Sequence, residues 1–116
     1  MLEKKNPYQQ LYIALKTLQE QQENQRKQYD WQENARPKQR VPEGDWRAWL
    51  ILAGRGFGKT RTGSETLRQW VKTGKARRIA LVGATENEVR DVMIEGVSGL
   101  LAVHPLEECP QYEPSK

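Results

Sequence analysis

The seven residues Gly54-Arg55-Gly56-Phe57-Gly58-Lys59-Thr60 constrain this chain more than any other stretch. They follow an apolar run, Ala48–Ala53, and precede a segment in which Trp70 and Val71 fall three and four residues after Leu67, on one helical face. A glycine-rich turn between a strand and a helix is the context in which backbone N–H groups wrap around a phosphate. The start of the following helix adds its positive dipole end. In this reading Gly54, Arg55, Gly56, Phe57 and Gly58 form the nucleotide-binding loop. Lys59 places a point charge on the β- and γ-phosphates of ATP, and the Thr60 hydroxyl ligates Mg²⁺. The full pattern G-x-x-x-x-G-K-[ST] is not met, because its first position is Ala53; the shorter G-x-G-K-T over residues 56–60 is met. With glycine near 7% of residues, the short pattern arises by chance in on the order of one in a few hundred chains of this length. The competing reading is a glycine turn that only caps a helix. Arg55 offers an extra cation to the phosphates or faces solvent.

Around this loop the pattern predicts an α/β fold. Trp46–Ala53 is continuously apolar at its end, as in a parallel strand buried on both faces. Lys59–Thr73 reads as a helix stopped by Gly74. Arg78–Gly83, centred on Ile79-Ala80-Leu81-Val82, reads as a second buried strand. Thr85 can cap a helix over Glu86–Ile94, with Glu88 at the capping-box position. Strand, loop, helix, strand is a βαβ unit with parallel strands, so the expected fold is a partial P-loop NTPase preceded by a polar N-terminal helix. That helix spans residues 6–33, with Asn6 as cap and Pro7 at the first position. Tyr8, Leu11, Tyr12, Leu15 and Leu18 give it a stripe of about three turns, read as the face by which a solvated helix docks; a partner-binding helix is the alternative. Residues 34–45, with two prolines and a glycine, read as an irregular linker. The domain organisation is therefore 1–33, 34–45 and 46–116.

Composition sets the outer bounds. The chain has 116 residues, 36% hydrophobic, with a net charge of +4. The charge is uneven: net +3 over residues 1–40, +6 over 41–80 and −5 over 81–116. The positive middle is where an anionic partner would bind. The longest apolar run has six residues, far short of a membrane span, and Met1-Leu2-Glu3-Lys4-Lys5 leads into no apolar signal region. One cysteine, Cys109, excludes an internal disulfide and a cysteine zinc site. The single His104 has no partner at metal spacing and supports no Ser-His-Asp constellation. Trp46 and Trp49 read as core or as ligand-stacking rings.

The stretch Ala35-Arg36-Pro37-Lys38-Gln39, then Gly44–Ala53, the Gly54–Thr60 loop and Arg61-Thr62-Gly63 resembles the start of the ATPase domain of large terminase subunits. These belong to the DNA-packaging motors of tailed bacteriophages and gene transfer agents. Ala76–Thr85, Val89–Gly96 and Ser98-Gly99-Leu100-Leu101 continue the resemblance, which covers about residues 34–116. It implies an ATPase that drives double-stranded DNA into a procapsid, with ATP and Mg²⁺ as cofactors. Portal and small terminase subunit are the implied partners, and the bacterial host cytoplasm the implied place. By position, Arg55, Lys59 and Thr60 match the loop arginine, the phosphate-binding lysine and the magnesium-binding hydroxyl. Thr85 matches a motif near the nucleic-acid path of related motors. Gln39, with Arg36-Pro37, resembles an upstream adenine-contacting segment.

After Thr60 no apolar strand runs into Asp-Glu, the Walker B and catalytic pair that such a loop needs for hydrolysis, and the family's nuclease carboxylates have no counterpart. Glu107-Glu108 follows Pro105 and reads as a solvated loop. The expectation is an N-terminal fragment, a truncated P-loop ATPase domain over 46–116, that needs further sequence or oligomerisation to complete its sheet. The alternatives are a different P-loop NTPase, such as a small nucleotide kinase or helicase-like module, and a non-catalytic interaction protein whose helix recruits a partner.

Overall fold

A computed structural model describes residues 4–114 and divides the chain into two compact units, Met1–Asn34 and Ala35–Lys116. The expectations that reach positions 1–3 and 115–116 lie outside the described residues.

The first unit is helical. Helix α1, Pro7–Gln28, starts from a reciprocal cap: Gln9 N donates to Asn6 Oδ1 at 2.8 Å and Asn6 N to Gln9 Oε1 at 3.1 Å. Pro7 gives up no intrahelical bond there. The helix ends earlier than its pattern predicts. Asp30 starts a new turn by accepting from Glu33 N, which opens α2, Trp31–Asn34. Asn34 Nδ2 donates back to the carbonyls of Lys27 and Gln28 at 2.9 and 3.1 Å, satisfying acceptors that a helix end leaves over. No residue of α1 is buried; Tyr8 is 84% and Tyr12 66% exposed, so the apolar stripe remains uncovered.

The second unit corrects the α/β expectation. Among the described residues there is no strand and no sheet, so this is not a βαβ P-loop fold. No backbone hydrogen bond joins residues 49–53 to 78–83. A parallel strand is stabilised only by neighbours on its edges and layers on both faces, and neither run has them. Side chains along residues 49–53 alternate between half-buried and exposed, with Leu50 and Leu52 76% and 86% exposed. One face is covered where two were expected. Val82 is likewise 82% exposed.

The unit is organised instead around α3, Lys59–Lys72. Thr73 caps its C-terminus and Gly74 follows at φ +77°, the left-handed position that glycine takes without a Cβ penalty. The face predicted to be its buried one is only partly so: Leu67 and Trp70 are half-buried and Val71 is 54% exposed. The side chains it does bury are Thr62, Ser64, Glu65, Thr66 and Arg68. Trp70 groups with Trp46 at 6.5 Å and Trp46 with Trp49 at 6.2 Å, so these rings pack on one another. Helix α4, Glu86–Glu88, runs on into a π-helical turn over Val89–Ile94, together filling the predicted span 86–94. Leu100 N and Leu101 N then return to the carbonyls of Met93 and Ile94. The return brings Gly99 so close to Ile94 O, 2.6 Å from where a Cβ would stand, that a side chain has no room.

Both residues of the acidic pair read as a solvated loop, Glu107 and Glu108, are exposed, but Glu108 is also tied down. Glu108, on a short 3-10 turn over Leu106–Glu108, accepts from Arg68 Nη2 at 3.0 Å, Arg68 Nε at 3.1 Å and Lys72 Nζ at 3.0 Å. It straps the tail of the chain onto α3. Residues 37–39, placed in an irregular linker by their prolines, form one turn of 3-10 helix and belong to the second unit.

Candidate nucleotide-binding loop

Residues Gly54–Gly58 turn tightly into α3. Gly56 and Gly58 hold φ of +84° and +88°, a region that L-residues with a Cβ avoid. Gly58 is the N-terminal cap of α3, and its carbonyl accepts from Thr62 N and Thr62 Oγ1, both at 2.8 Å. The first-turn N–H groups of a helix have no intrahelical acceptor, and here they lie directly behind the glycine turn. Lys59 Nζ donates to Ala53 O at 2.8 Å and Gly54 O at 3.1 Å. Its ammonium therefore sits over the mouth of the turn, held by neutral carbonyls rather than by a carboxylate. Thr60 is half-buried one residue into the helix, and Arg55 is exposed.

Beside Lys59 and Thr60 opens a groove of about 250 Å³, walled by Gly63, Ser64 and Leu67 of α3 and by Leu81, Met93 and Leu100. Its lining is mostly apolar, with the lysine and the threonine at one end.

The structure brings Gln39 to the loop and gives Thr85 a local task. Gln39 is buried, at 6% exposure, and its Nε2 donates to Phe57 O at 2.9 Å. Arg36 Nη2 donates to the same carbonyl, and its guanidinium lies 5.0 Å from the centre of the Phe57 ring. Thr85 Oγ1 accepts from Glu88 N at 3.1 Å, capping α4, while Glu88 Oε2 accepts from Ala84 N at 3.2 Å.

Two ionisable groups on or against α3 are shifted. Burial pushes the Glu65 carboxyl above the ordinary range, against the opposing charges of Arg61 and Arg68. Its Oε2 is buried without a hydrogen bond, with Arg68 Nη1 3.9 Å away. Glu108 is held below the ordinary range, first by the hydrogen bond from Lys72 and then by Arg68. Sequence reasoning missed both roles. Glu65 carried a signal, since it is four residues from Arg61 and three from Arg68; Glu108 carried none, lying 40 residues from Arg68.

The residues present fit a magnesium–triphosphate: a glycine turn, a helix start, an ammonium on weak partners and a hydroxyl one residue further. Among the described residues no group of three or more His, Cys, Asp or Glu gathers as a metal-holding cluster, and no helix is long and apolar enough to cross a membrane.

No match to the chain is found among curated proteins or solved structures. A family model does match, over residues 50–116, described as terminase large subunit, T4-like virus type, N-terminal. The matched segment contains the whole loop, α3 and the strap, and is more than half of the chain. The chain belongs to the N-terminal family of the T4-like large terminase subunits, components of phage DNA-packaging motors.

Proposed function

We propose that Gly54–Thr60 is a Walker A loop that binds the phosphates of Mg·ATP, and that the chain supplies nucleotide binding to an ATP-driven DNA-packaging motor. The observation that carries the reading is Lys59. Its ammonium is at the mouth of a left-handed glycine turn, at the start of a 14-residue helix, on two carbonyls that an anionic phosphate would outcompete. In this reading the partners are double-stranded DNA, a portal and a small terminase subunit, and the place is the host cytoplasm; membership of the terminase family supports it. The net +6 of residues 41–80 suits a polyanion. Thr60 would hold Mg²⁺ through its hydroxyl, and Thr85, the cap of α4, is assigned to the DNA path by its resemblance alone. The metal, when bound, neutralises charge on the phosphates. No residue here is assigned to the attack of water.

Calorimetric titration of the chain with Mg·ATP tests this. Lys59→Ala is expected to remove detectable binding, since it takes away the ammonium held at the turn. Equal affinity in variant and parent would overturn the Walker A reading.

A further inference from the structure

We propose that Gln39 and Arg36 are positioning residues for the loop, which set its shape through the Phe57 carbonyl instead of reading the adenine base. The inference rests on the phosphate-binding reading above and assigns these two side chains a different task from the adenine contact that their resemblance implies.

The hydrogen bonds form a short chain. Arg36 N donates to Gln39 Oε1 at 3.0 Å and Arg36 Nε to the same oxygen at 3.4 Å, fixing which end of the amide faces the loop. Gln39 Nε2 then donates to Phe57 O, which also takes Arg36 Nη2. A carbonyl has two lone pairs, and two donors occupy both. In a trans peptide the C=O and the following N–H point in opposite directions. Holding Phe57 O toward Gln39 therefore directs Gly58 N–H away from Gln39, as an inward-pointing phosphate donor requires. This peptide is otherwise free to flip, because Gly58 on one side and Gly56 nearby tolerate either sign of φ. Gln39 also closes on Gly58 itself: a Cβ there would stand 2.8 Å from Nε2. With 6% exposure the Gln39 side chain is covered, which suits an internal brace better than a base reader.

The test compares ligands with and without a base. The full chain, and Gln39→Met and Gln39→Ala variants, are titrated with Mg·ATP and with magnesium tripolyphosphate. Methionine keeps the buried volume and removes the donor, so it separates the hydrogen bond from packing, and a circular-dichroism melt checks its fold. Loss of one buried hydrogen bond predicts about ten-fold weaker binding of both ligands, by the same factor. Hydrogen–deuterium exchange of the ligand-free chain should be faster at residues 54–60 in Gln39→Met and unchanged at 66–72. Weaker binding of ATP alone would show that Gln39 reads the base and would overturn the inference. So would unchanged affinity for both ligands, or unchanged exchange in the loop. A parent that binds neither ligand would instead overturn the phosphate-binding reading, and the exchange comparison would then decide the brace by itself.

Discussion

Removing the Glu108 carboxylate tests whether the tail strap stabilises α3. Both Lys72 and Arg68 hold the Glu108 carboxylate, but Arg68 is the sheltered partner, with its side chain 9% exposed against 63% for Lys72, where solvent screens the pair. The exposed Lys72 pair contributes a few tenths of a kcal/mol at most. The two bonds from Arg68 are charge-assisted and mostly sheltered, worth roughly 1.5–3 kcal/mol before allowance for the 31% exposure of Glu108. Glu108→Ala should therefore cost about 2 kcal/mol, and Lys72→Ala under ~0.5 kcal/mol. The pH dependence follows from the pKa of Glu108, which is held below its ordinary value. A carboxyl whose folded value lies below its unfolded value, about 4.3, stabilises fully above the latter and loses that contribution as pH falls through the folded value. Urea denaturation followed by circular dichroism measures this. With a slope of about 1–3 kcal/mol per molar, Glu108→Ala should lower the midpoint by about 1 M near pH 7. The gap between Glu108→Ala and parent should shrink steadily in acid. A midpoint shift under about 0.2 M near neutrality, or a gap that does not change with pH, would refute the strap.

Two further outcomes are expected. Gly58→Ala puts a Cβ at φ +88° and against Gln39 Nε2; at about 1–2 kcal/mol for the left-handed backbone alone, it should weaken Mg·ATP binding by ten-fold or more in calorimetry, and equal affinity would contradict the loop geometry. Leu50, Leu52 and Val82 are exposed apolar side chains on runs without backbone partners; such surfaces associate, so sedimentation should show concentration-dependent self-association that Leu50→Lys with Leu52→Lys reduces, whereas an ideal monomer in the parent would contradict this.

Helices were readable from residues because their signals are local. Asn6 and Pro7 mark the start of α1, Gly74 the end of α3, and Thr85 with Glu88 the turn into α4. Apolar runs are different. Trp49–Ala53 and Arg78–Gly83 have strand-like composition, but pairing depends on neighbours that the runs themselves do not specify, and none is present. The glycine turn was legible because positive φ requires glycine at Gly56 and Gly58. What holds the turn was not, since Gln39 meets Phe57 across 18 residues and Glu108 meets Arg68 across 40. The break of the first helix at Asp30 was hidden for a related reason. Asp30 and Asn34 are ordinary on a solvated helix face, and only their bonds to Glu33 N and to the carbonyls of Lys27 and Gln28 reveal two caps.

Backbone amide shifts of Gly56, Phe57, Gly58, Lys59 and Thr60, followed by ¹⁵N–¹H NMR during titration with Mg·ATP, test the central claim most directly. A phosphate cradled by the turn and by the first turn of α3 predicts saturable shifts concentrated on these amides, reproduced by magnesium tripolyphosphate and absent in Lys59→Ala. Shifts spread over other parts of the chain, with the 56–60 amides unmoved at saturating ATP, would contradict it.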